Sequence, residues 1–331
     1  MINRVDNEIV TVTFHSIPNY WFTYYFKGFV DNKNCKVKIN LKEEYKEFFF
    51  TNRTVLSFSY KGIVKSVVID LDDPCGRHLN YWDQFDLIFL SQKLINTNYE
   101  CDENYIALLP HFPIRSFEII RFAFNKIGIQ YFLKICIEVY RISKLKPLSL
   151  FRSLNSRVNS KEIFYYRSLW KKELKINKIG AIFLDIFKTN GFSVLGGLFR
   201  RDSYVSGDDQ IDKYIIKKRL SNKTYIKYLR KSLFAFNTPS VRGACSWRFA
   251  EYVALDKVII NTTFAVYVPE EIKTLNIDYE SIEDFQLKLT ELIVGFDIKD
   301  LHNYSNKVFF QENMLPSKQI DFILNKFKKI C

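Results

Sequence analysis

Short blocks of apolar residues alternate with polar, turn-forming stretches along the first third of the chain. β-branched and aromatic runs predict strands at residues 9–14, 55–60, 66–69 and 85–90. An aromatic segment at residues 20–29 predicts a helix after the polar turn at residues 15–19. Because strands that alternate with helices are typical of parallel sheets, we predict a parallel α/β domain here.

The same alternation returns in the second half of the chain. Strands are predicted at residues 162–166, 192–195, 234–236, 258–260 and 264–268. Helices are predicted at residues 181–189, 221–232 and 282–295 and after Pro316. A chain of 331 residues suits two domains of ordinary size, so we predict a second α/β domain.

Residues 114–160 differ from both flanking regions. Residues 117–142 predict a helix in which lysine and arginine interrupt aromatic and aliphatic side chains. The polar, basic stretch at residues 143–160 is typical of a connection between domains. We therefore predict an N-terminal domain at residues 1–150 and a C-terminal domain at residues 151–331.

The chain has a formal net charge of +13, and one stretch carries most of it. Residues 114–175 hold 14 Lys and Arg against 4 Asp and Glu, a local net charge of +10. A positive field of this kind attracts nucleic acids, anionic membrane surfaces or phosphorylated small molecules. Residues 114–160 have the composition of an interfacial helix on anionic lipid, and equally that of a packed helix followed by a basic linker.

The six cysteines and four histidines are scattered and show neither zinc-binding spacing nor a disulfide framework. Scattered thiols fit a reducing cytoplasm. The first residues read as a strand and not as a secretory signal, and no apolar run of about 18 residues predicts a transmembrane helix. We expect a cytoplasmic protein, with an anionic membrane surface as a candidate partner of residues 114–160.

The loop and helix at residues 237–260 carry the richest candidate chemistry. Arg242 and Arg248 stand in a polar loop punctuated by proline and glycine, and Glu251 follows in a helix-like stretch before an apolar strand. Arginine forks match phosphate oxygens, a helix N-terminus adds N–H donors, and a carboxylate accepts from ribose hydroxyls. This order indicates a nucleoside-diphosphate site, and a structural loop with surface arginines is the alternative.

Two further segments follow predicted strands, where α/β folds present groups to ligands. They are Arg167, Trp170 and Lys172 after the strand at 162–166, and Gly196 and Gly197 after the strand at 192–195. Paired glycines let a backbone approach a ligand closely. The chain lacks G-x-G-x-x-G and G-K-[ST], which disfavours a Rossmann NAD site and a P-loop. A solvated basic face and a simple tight turn are the alternatives.

Candidate acid–base groups follow two predicted strands of the N-terminal domain. His15 follows the first strand, and Asp70, Asp72 and Asp73 lie in the loop after residues 66–69. Such groups bind metals or act as general bases; a capping histidine and an ordinary Asp-rich turn are the alternatives. We predict His15, Asp72 and Asp73 as candidate catalytic groups on the acceptor side.

Together these segments resemble the GT-B glycosyltransferases that build bacterial surface polysaccharides such as capsule and lipopolysaccharide. Residues 251–259, EYVALDKVI, are similar to the donor-site segment E-(A/Y)-(M/L)-A-x-G-x-(P/A)-(V/I). Residues 243–248, GACSWR, are similar to the G-x-x-x-W-(R/K) run of a subset of these enzymes. Residues 166–170, Gly196-Gly197 and residues 303–316 match further segments, so the resemblance covers roughly residues 160–331.

The resemblance implies two facing Rossmann-like domains, with the C-terminal helix crossing back to the N-terminal domain. It also implies that the C-terminal domain binds a nucleotide sugar, with ribose recognition by Glu251 and diphosphate contacts from Arg167, Lys172 and Arg248. The donor-binding residues it implies are Arg167, Lys172, Gly196, Gly197, Arg242, Gly243, Ser246, Trp247, Arg248 and Glu251. It implies no metal requirement and no cofactor beyond the nucleoside-diphosphate sugar itself.

Two positions depart from the family pattern. Asp256 replaces the usual glycine of the donor segment, and Gly243 stands eight residues before Glu251, where many retaining members have an acidic residue. Retaining and inverting chemistry therefore both stay open. The implied function is transfer of a sugar from a nucleoside-diphosphate sugar to a polysaccharide or lipid-linked acceptor, without nucleic acid as a partner.

Two other classes of protein stay open. The net charge and abundant aromatics fit a nucleic-acid-binding protein, although no helix-turn-helix, zinc or RNP signature is present. A non-catalytic GT-B scaffold is the other alternative.

Overall fold

The computed structural model describes residues 9–72, 82–95, 104–124, 129–152, 159–171, 174–200, 207–240 and 243–331. The chain divides into two compact units. Unit 1 comprises Met1–Leu148, Ala265–Pro269 and Phe309–Cys331, and unit 2 comprises Ser149–Phe264 and Glu270–Val308. The C-terminal helix therefore belongs to the same unit as the N-terminal sheet, as the resemblance implies.

Among the described residues, the strands form one six-stranded sheet in each unit. The strands of unit 1 are β1 (Val10–Phe14), β2 (Cys35–Ile39), β3 (Arg53–Tyr60), β4 (Ile63–Asp70), β5 (Leu87–Leu90) and β6 (Tyr105–Ala107). Those of unit 2 are β7 (Asn159–Ser168), β8 (Ser193–Phe199), β9 (Ile215–Ile216), β10 (Ser232–Asn237), β11 (Val258–Thr262) and β12 (Leu275–Ile277).

The helices are α1 (Thr23–Asp31), α2 (Glu118–Phe124), α3 (Phe132–Ser143), α4 (Ser149–Arg152), α5 (Leu174–Thr189), α6 (Asp209–Asp212), α7 (Asn222–Lys231), α8 (Trp247–Ala254), α9 (Ile282–Gly295), α10 (Lys307–Phe309) and α11 (Pro316–Lys328). Of these, α1 to α3 and α11 lie in unit 1, and α4 to α9 lie in unit 2.

The sheet of unit 1 has the strand order β2-β1-β3-β4-β5-β6, and its neighbours are parallel except for those of β3. β3 and β4 form a hairpin whose two turn residues, Lys61 and Gly62, have positive φ. A two-residue turn returns the chain only to an antiparallel neighbour. The predicted parallel sheet is therefore right for the other strands and wrong for β3.

The core of unit 1 lies between its sheet and the helices α1 and α11. Alternate strand residues, among them Val12 and Phe58, point into this core, as the period of two along a strand requires. The Phe58 and Phe327 rings meet at 5.4 Å. A Cβ at Gly28 of α1 would overlap the carbonyl oxygen of Pro316. The two helices therefore approach each other closely only because this residue is glycine.

The sheet of unit 2 is parallel throughout and has the strand order β9-β8-β7-β10-β11-β12. In chain order this is 3-2-1-4-5-6, the order of doubly wound nucleotide-binding sheets. The order reverses between β7 and β10, and such sheets bind ligands outside the carboxyl ends of their strands at that reversal. The residues that follow Ser168 and Asn237 therefore stand where a ligand is expected.

Three predicted elements differ from the observed ones. Residues 264–268 form no strand; Val266 makes an isolated bridge to Leu94 within unit 1, and β12 is the last strand of unit 2 instead. In the described part of residues 117–142, α2 and α3 are separate helices instead of the one predicted. Gly196 and Gly197 lie inside β8 and not in a turn after it.

Candidate functional site

Arg167 lies near the end of β7, beside the reversal in strand order. Its guanidinium donates hydrogen bonds to the carbonyl oxygens of Thr238 at 3.3 Å and Pro239 at 2.8 Å. Only 5% of Arg167 is exposed. This arginine therefore fastens the loop after β10 to the end of β7. Direct contact of Arg167 with a diphosphate stays a prediction.

Three asparagines stand in register across β10, β11 and β12 at the same edge of the sheet, and we refer to Asn237, Asn261 and Asn276 as the asparagine ladder. The Asn237 amide donates to Asn261 at 2.8 Å, and the Asn261 amide donates to Asn276 at 3.2 Å. Ser246 donates its hydroxyl to the side-chain oxygen of Asn237 at 2.8 Å. No local sequence pattern predicts the asparagine ladder, because its members lie 24 and 15 residues apart in the chain.

Helix α8 begins immediately after Ser246. The Ser246 hydroxyl bonds to Asn237 and does not cap the first N–H groups of α8. Uncapped N–H groups at a helix N-terminus bind anions. Gly243 in the preceding loop has a φ of +80°, a backbone conformation that favours glycine. Phe249 donates its backbone N–H to the Ser246 carbonyl oxygen at 2.9 Å, so α8 begins with a backbone hydrogen bond and without a side-chain cap.

Arg248 lies in the first turn of α8. Its Nε is buried and has no hydrogen-bond partner among the described residues. Its guanidinium carbon lies 5.4 Å from the centroid of the Trp247 ring. A buried donor without a partner is unfavourable, and an anionic oxygen bound here would satisfy it. Arg248 and Trp247 thus stand together at the uncapped end of the helix.

Glu251, the predicted ribose ligand, lies one turn further along α8 and is only 1% exposed. Its Oε2 accepts a hydrogen bond from the Tyr225 hydroxyl at 2.7 Å. Burial, together with the charge of Glu251, holds the pKa of Tyr225 well above its usual range. The tyrosine therefore stays protonated and donates to the carboxylate. Ribose recognition by Glu251 stays a prediction.

Asp256, which replaces the glycine of the family pattern, has a φ of +53°. This left-handed conformation favours glycine, but aspartate is one of the few other residues that adopt it routinely. Its Oδ1 accepts from the backbone N–H of Asn306 at 2.7 Å and from the Ser305 hydroxyl at 3.0 Å. The departure at this position is therefore accommodated by the fold.

Arg219, which is not among the predicted site residues, lies near Tyr166 of β7. The Tyr166 hydroxyl accepts from the backbone N–H of Leu220 at 3.1 Å. Burial raises the pKa of Tyr166, while this hydrogen bond and the charges of Arg219 and Arg248 oppose the rise. Both arginines are therefore within electrostatic reach of one tyrosine. Arg219 ends a run of three basic residues, a pattern typical of any solvated surface, so the sequence does not single it out.

Gly196 and Gly197 are required by the packing of β8 itself. Their φ values are +102° and +136°. A Cβ at Gly196 would overlap the carbonyl oxygen of Tyr165, and one at Gly197 would lie 2.7 Å from that of Tyr214. The tight turn given as the alternative is therefore wrong, because both glycines lie inside β8, where neighbouring backbone leaves no room for a Cβ. Their contribution to donor binding stays a prediction.

His15 of unit 1 follows β1 and is 8% exposed. Its Nδ1 bonds to the Asn40 carbonyl oxygen and its Nε2 to the Ser57 hydroxyl, both at 2.9 Å. Because a carbonyl oxygen only accepts, Nδ1 carries the proton and Nε2 of the neutral ring accepts from Ser57. Burial lowers the pKa of His15, which favours this neutral form. Both nitrogens already have partners, and a role as a base stays a prediction.

Asp70 and Asp72 flank Arg53 at the carboxyl end of β4. Arg53 donates through Nε to Asp70 at 3.2 Å and through Nη2 to Asp72 at 2.6 Å. Asp70 also accepts from the backbone N–H of Asp72 at 2.8 Å, and Asn52 donates to Asp72 at 2.6 Å. Burial raises the pKa of Asp70, against the opposing effects of that N–H and of Arg53. These contacts favour the structural interpretation of the loop, and catalysis by Asp72 stays a prediction.

Asp73, Lys172 and Arg242, which complete the predicted set, lie outside the described residues. Among the described residues, no group of three or more His, Cys, Asp or Glu side chains is arranged to hold a metal ion. The described helices include none with the length and apolar character needed to cross a bilayer.

Neither a family model nor a curated protein matches the chain, whereas solved structures do. A trehalose-6-phosphate synthase, OtsA, is 14% identical over 55% of this chain and 49% of its own, with a TM-score of 0.39. The C-terminal domain of a group 1 glycosyl transferase, LpcC, from Francisella tularensis is 12% identical over 50% and 87%, with a TM-score of 0.33. An α,α-trehalose-phosphate synthase (UDP-forming) from Burkholderia vietnamiensis is 12% identical over 75% and 63%, with a TM-score of 0.42. The chain thus spans 49% and 63% of the two synthases, and at these TM-scores the likeness carries no argument about activity.

Proposed function

We propose that unit 2 binds the diphosphate of a nucleotide sugar at the N-terminus of α8, and that the protein transfers the sugar to a glycan or lipid-linked acceptor. The observation that carries the proposal is Arg248, whose buried Nε has no partner among the described residues. It stands beside an uncapped helix N-terminus, near the strand-order reversal of a parallel sheet. All three features favour an anionic ligand.

The chemistry follows from where charge develops. As the bond between the sugar's anomeric carbon and the diphosphate oxygen breaks, negative charge grows on the leaving diphosphate. Preorganised donors aimed at that charge lower the barrier. Arg248 and the partial positive charge at the N-terminus of α8 supply this stabilisation, while Arg167 and the asparagine ladder hold the surrounding loop. Removing one donor of this kind costs about 2–4 kcal/mol in the transition state, or roughly 10²–10³ in rate.

Thermal unfolding with a panel of UDP, GDP, CDP, dTDP, ADP and CMP tests the donor site. A ligand at about 100 times its Kd adds roughly 2.7 kcal/mol to stability, so one diphosphate should raise the unfolding temperature selectively. Arg248→Met should abolish that shift without lowering the stability of the ligand-free protein, because the buried Nε has no partner to lose. The matched control is Lys227→Ala, an exposed cation on α7.

Two results would count against the donor site. No shift with any nucleotide would favour the non-catalytic scaffold, and an equal shift in wild type and Arg248→Met would remove Arg248 from the site. Binding of a random oligonucleotide that weakens steeply with salt, with no response to diphosphates, would instead favour a nucleic-acid-binding protein.

We also propose that the acceptor side rests on an anionic membrane through the outer face of α3. Three inward positions of α3 are buried, namely Ile135, Glu138 and Ile142. The opposite face, here called the α3 outer face, consists of Phe132 (55% exposed), Leu133 (72%), Ile137 (43%) and Tyr140 (63%). Exposed apolar patches of this kind mark interaction sites.

The surroundings of the α3 outer face favour lipid as the partner. Ile129, just before α3, is 94% exposed, and Phe124 is 59% exposed. Lys134, Arg141 and Lys144 lie among these residues in the sequence. Apolar side chains with basic neighbours suit the interface of an anionic bilayer, where each cation adds about 1 kcal/mol.

Co-sedimentation with vesicles tests this surface. Wild-type protein should bind vesicles that contain phosphatidylglycerol, bind neutral vesicles weakly, and bind less as salt rises. Leu133→Ser with Ile137→Ser should abolish binding, whereas Leu287→Ser, at a leucine of α9 that is 60% exposed, should not. Equal binding by all three proteins would exclude the α3 outer face as the membrane contact.

A further inference from the structure

We infer that unit 1 contains a second ligand site, a groove beside the edge strand β6 that binds an aliphatic phosphate monoester. The groove has a volume of about 710 Å³, within the range of small-molecule sites. All its described lining residues belong to unit 1, and none belongs to the candidate nucleotide site of unit 2. The inference therefore goes beyond the proposed sugar transfer and does not rest on it.

Three parts of unit 1 line the groove. The first is β6 with Leu109, the second is the segment Lys93, Leu94 and Ile95 with Tyr267, and the third is the end of α11 with Phe322, Lys326, Lys329 and Ile330. Ile95 donates its N–H to the carbonyl oxygen of Ala265 at 2.9 Å, and Tyr267 donates to that of Lys93 at 2.8 Å. The second part is therefore a short antiparallel ribbon held by backbone hydrogen bonds. This ribbon forms one wall of the groove.

The charge of the groove selects an anion. Lys93, Lys326 and Lys329 line it, and its described lining includes no Asp or Glu. Lys93 donates through Nζ to the carbonyl oxygen of Tyr105 in β6 at 3.1 Å. The Lys326 ammonium lies 5.5 Å from the centroid of the Phe322 ring. Two of the three cations are thus held against groove residues, and lysine binds phosphate as a compact point charge.

The other side chains that line the groove favour a ligand with an aliphatic chain. Ile95, Tyr267 and Ile330 are 46%, 48% and 45% exposed, so a ligand that covers them removes apolar surface from water. Apart from lysine and the two tyrosines, the described lining side chains are hydrocarbon. A sugar or a nucleobase needs several convergent hydrogen-bonding side chains for its hydroxyls or edges, and leaving those groups unpaired is unfavourable.

Titration calorimetry of the whole protein with octyl phosphate, below its critical micelle concentration, tests the inference. Octyl phosphate should bind at least about tenfold more tightly than inorganic phosphate or octanol, because each of these supplies only one of the two interactions. The double variant Lys326→Ala with Lys329→Ala should bind octyl phosphate at least about tenfold more weakly than wild type does. Lys328→Ala is the matched control, because its ammonium lies 5.0 Å from the centroid of the Tyr60 ring, and Tyr60 is not among the lining residues.

Three outcomes would overturn the inference. The first is no detectable binding of octyl phosphate by a protein whose unfolding is cooperative. The second is equal affinity for octyl phosphate and inorganic phosphate, or for octyl phosphate and a nucleoside monophosphate. The third is an equal loss in Lys328→Ala and in the Lys326, Lys329 double variant. None of these outcomes depends on the nucleotide panel, so failure here is distinct from failure of the proposed function.

Two sources supply an aliphatic phosphate, a bilayer phospholipid and a free lipid phosphate. Vesicles with and without phosphatidic acid distinguish them. Binding to phosphatidic acid vesicles that the Lys326, Lys329 double variant loses, and that the variant at Leu133 and Ile137 keeps, identifies a bilayer lipid. Binding of octyl phosphate without vesicle binding identifies a free lipid phosphate.

Discussion

Substituting Arg53 by methionine tests whether the aspartates after β4 form a structural ion pair. Asp70 has 1% of its side chain exposed and Arg53 has 28%, so the pair is largely shielded from water. An uncompensated buried carboxylate costs about 3–5 kcal/mol. Asp70 keeps the N–H of Asp72, and water reaches the Arg53 side, so we expect Arg53→Met to lower the free energy of unfolding by about 2–3 kcal/mol at neutral pH.

The pH dependence of this loss follows from the direction of the pKa shift. Burial raises the pKa of Asp70 above its ordinary value of 3.8, and removal of Arg53 raises it further. A carboxyl whose folded-state pKa exceeds its unfolded-state pKa binds protons preferentially in the folded state, so stability is regained as the pH falls through the folded-state pKa. The cost of Arg53→Met should therefore shrink as the pH falls from neutral toward 3.8.

Urea unfolding of wild type, Arg53→Met, Asp70→Asn and the double variant forms a double-mutant cycle. In the background of Asp70→Asn, the Arg53→Met substitution should cost much less, because no buried charge is left behind. Lys65→Met is the matched control: its pair with Asp86 is 31% and 38% exposed and should be worth less than about 1 kcal/mol. A coupling energy near zero, or a cost that does not change with pH, would refute the buried ion pair.

Three further predictions test other parts of the structure. Gly197→Ala places a Cβ 2.7 Å from the carbonyl oxygen of Tyr214 at a φ of +136° and should cost about 1–3 kcal/mol in urea unfolding; a neutral result would mean that β8 relaxes. Burial lowers the pKa of Lys257 to about 8 from 10.5, so the contribution of this residue to the free energy of unfolding should rise between those pH values by up to about 1.4 kcal/mol per unit, and urea unfolding of wild type against Lys257→Met should show that slope as their difference. Asn261→Leu should lower the affinity for the diphosphate about tenfold in titration calorimetry, and by more than Asn276→Leu does. Equal diphosphate affinities in wild type and both variants would mean that the asparagine ladder contributes only to stability.

Local signals in the sequence predicted many of the elements. The Ser221 side chain accepts from the backbone N–H of Thr224 at 3.1 Å and caps α7, as its position before a helical pattern indicates. Pro316 stands at the start of α11, where its missing N–H is harmless. β10 and β11 contain the predicted apolar runs at 234–236 and 258–260. These signals succeed because capping and apolar periodicity depend on residues close together in the chain.

The candidate site was predictable only as a location. Arg167 and Arg248 both lie near the carboxyl ends of parallel strands, which is where the fold class places ligand-facing groups. The buried Nε of each arginine has no hydrogen-bond partner in the described part of the chain, but Arg167 also donates through Nη1 and Nη2 to the carbonyl oxygens of Thr238 and Pro239. Residue type cannot distinguish the two arginines, because the partners of Arg167 come from a loop that follows a different strand.

The alternation of strands and helices, the helix caps and the concentration of positive charge in residues 114–175 can be read from the amino-acid sequence alone. The antiparallel direction of β3, the register that aligns the asparagine ladder, and the packing that requires Gly197 depend on the folded arrangement. They do so because a period of two in the sequence shows that a strand forms and which faces it has. It does not show which strand lies beside it, and pairing between distant segments sets direction, register and close backbone contacts.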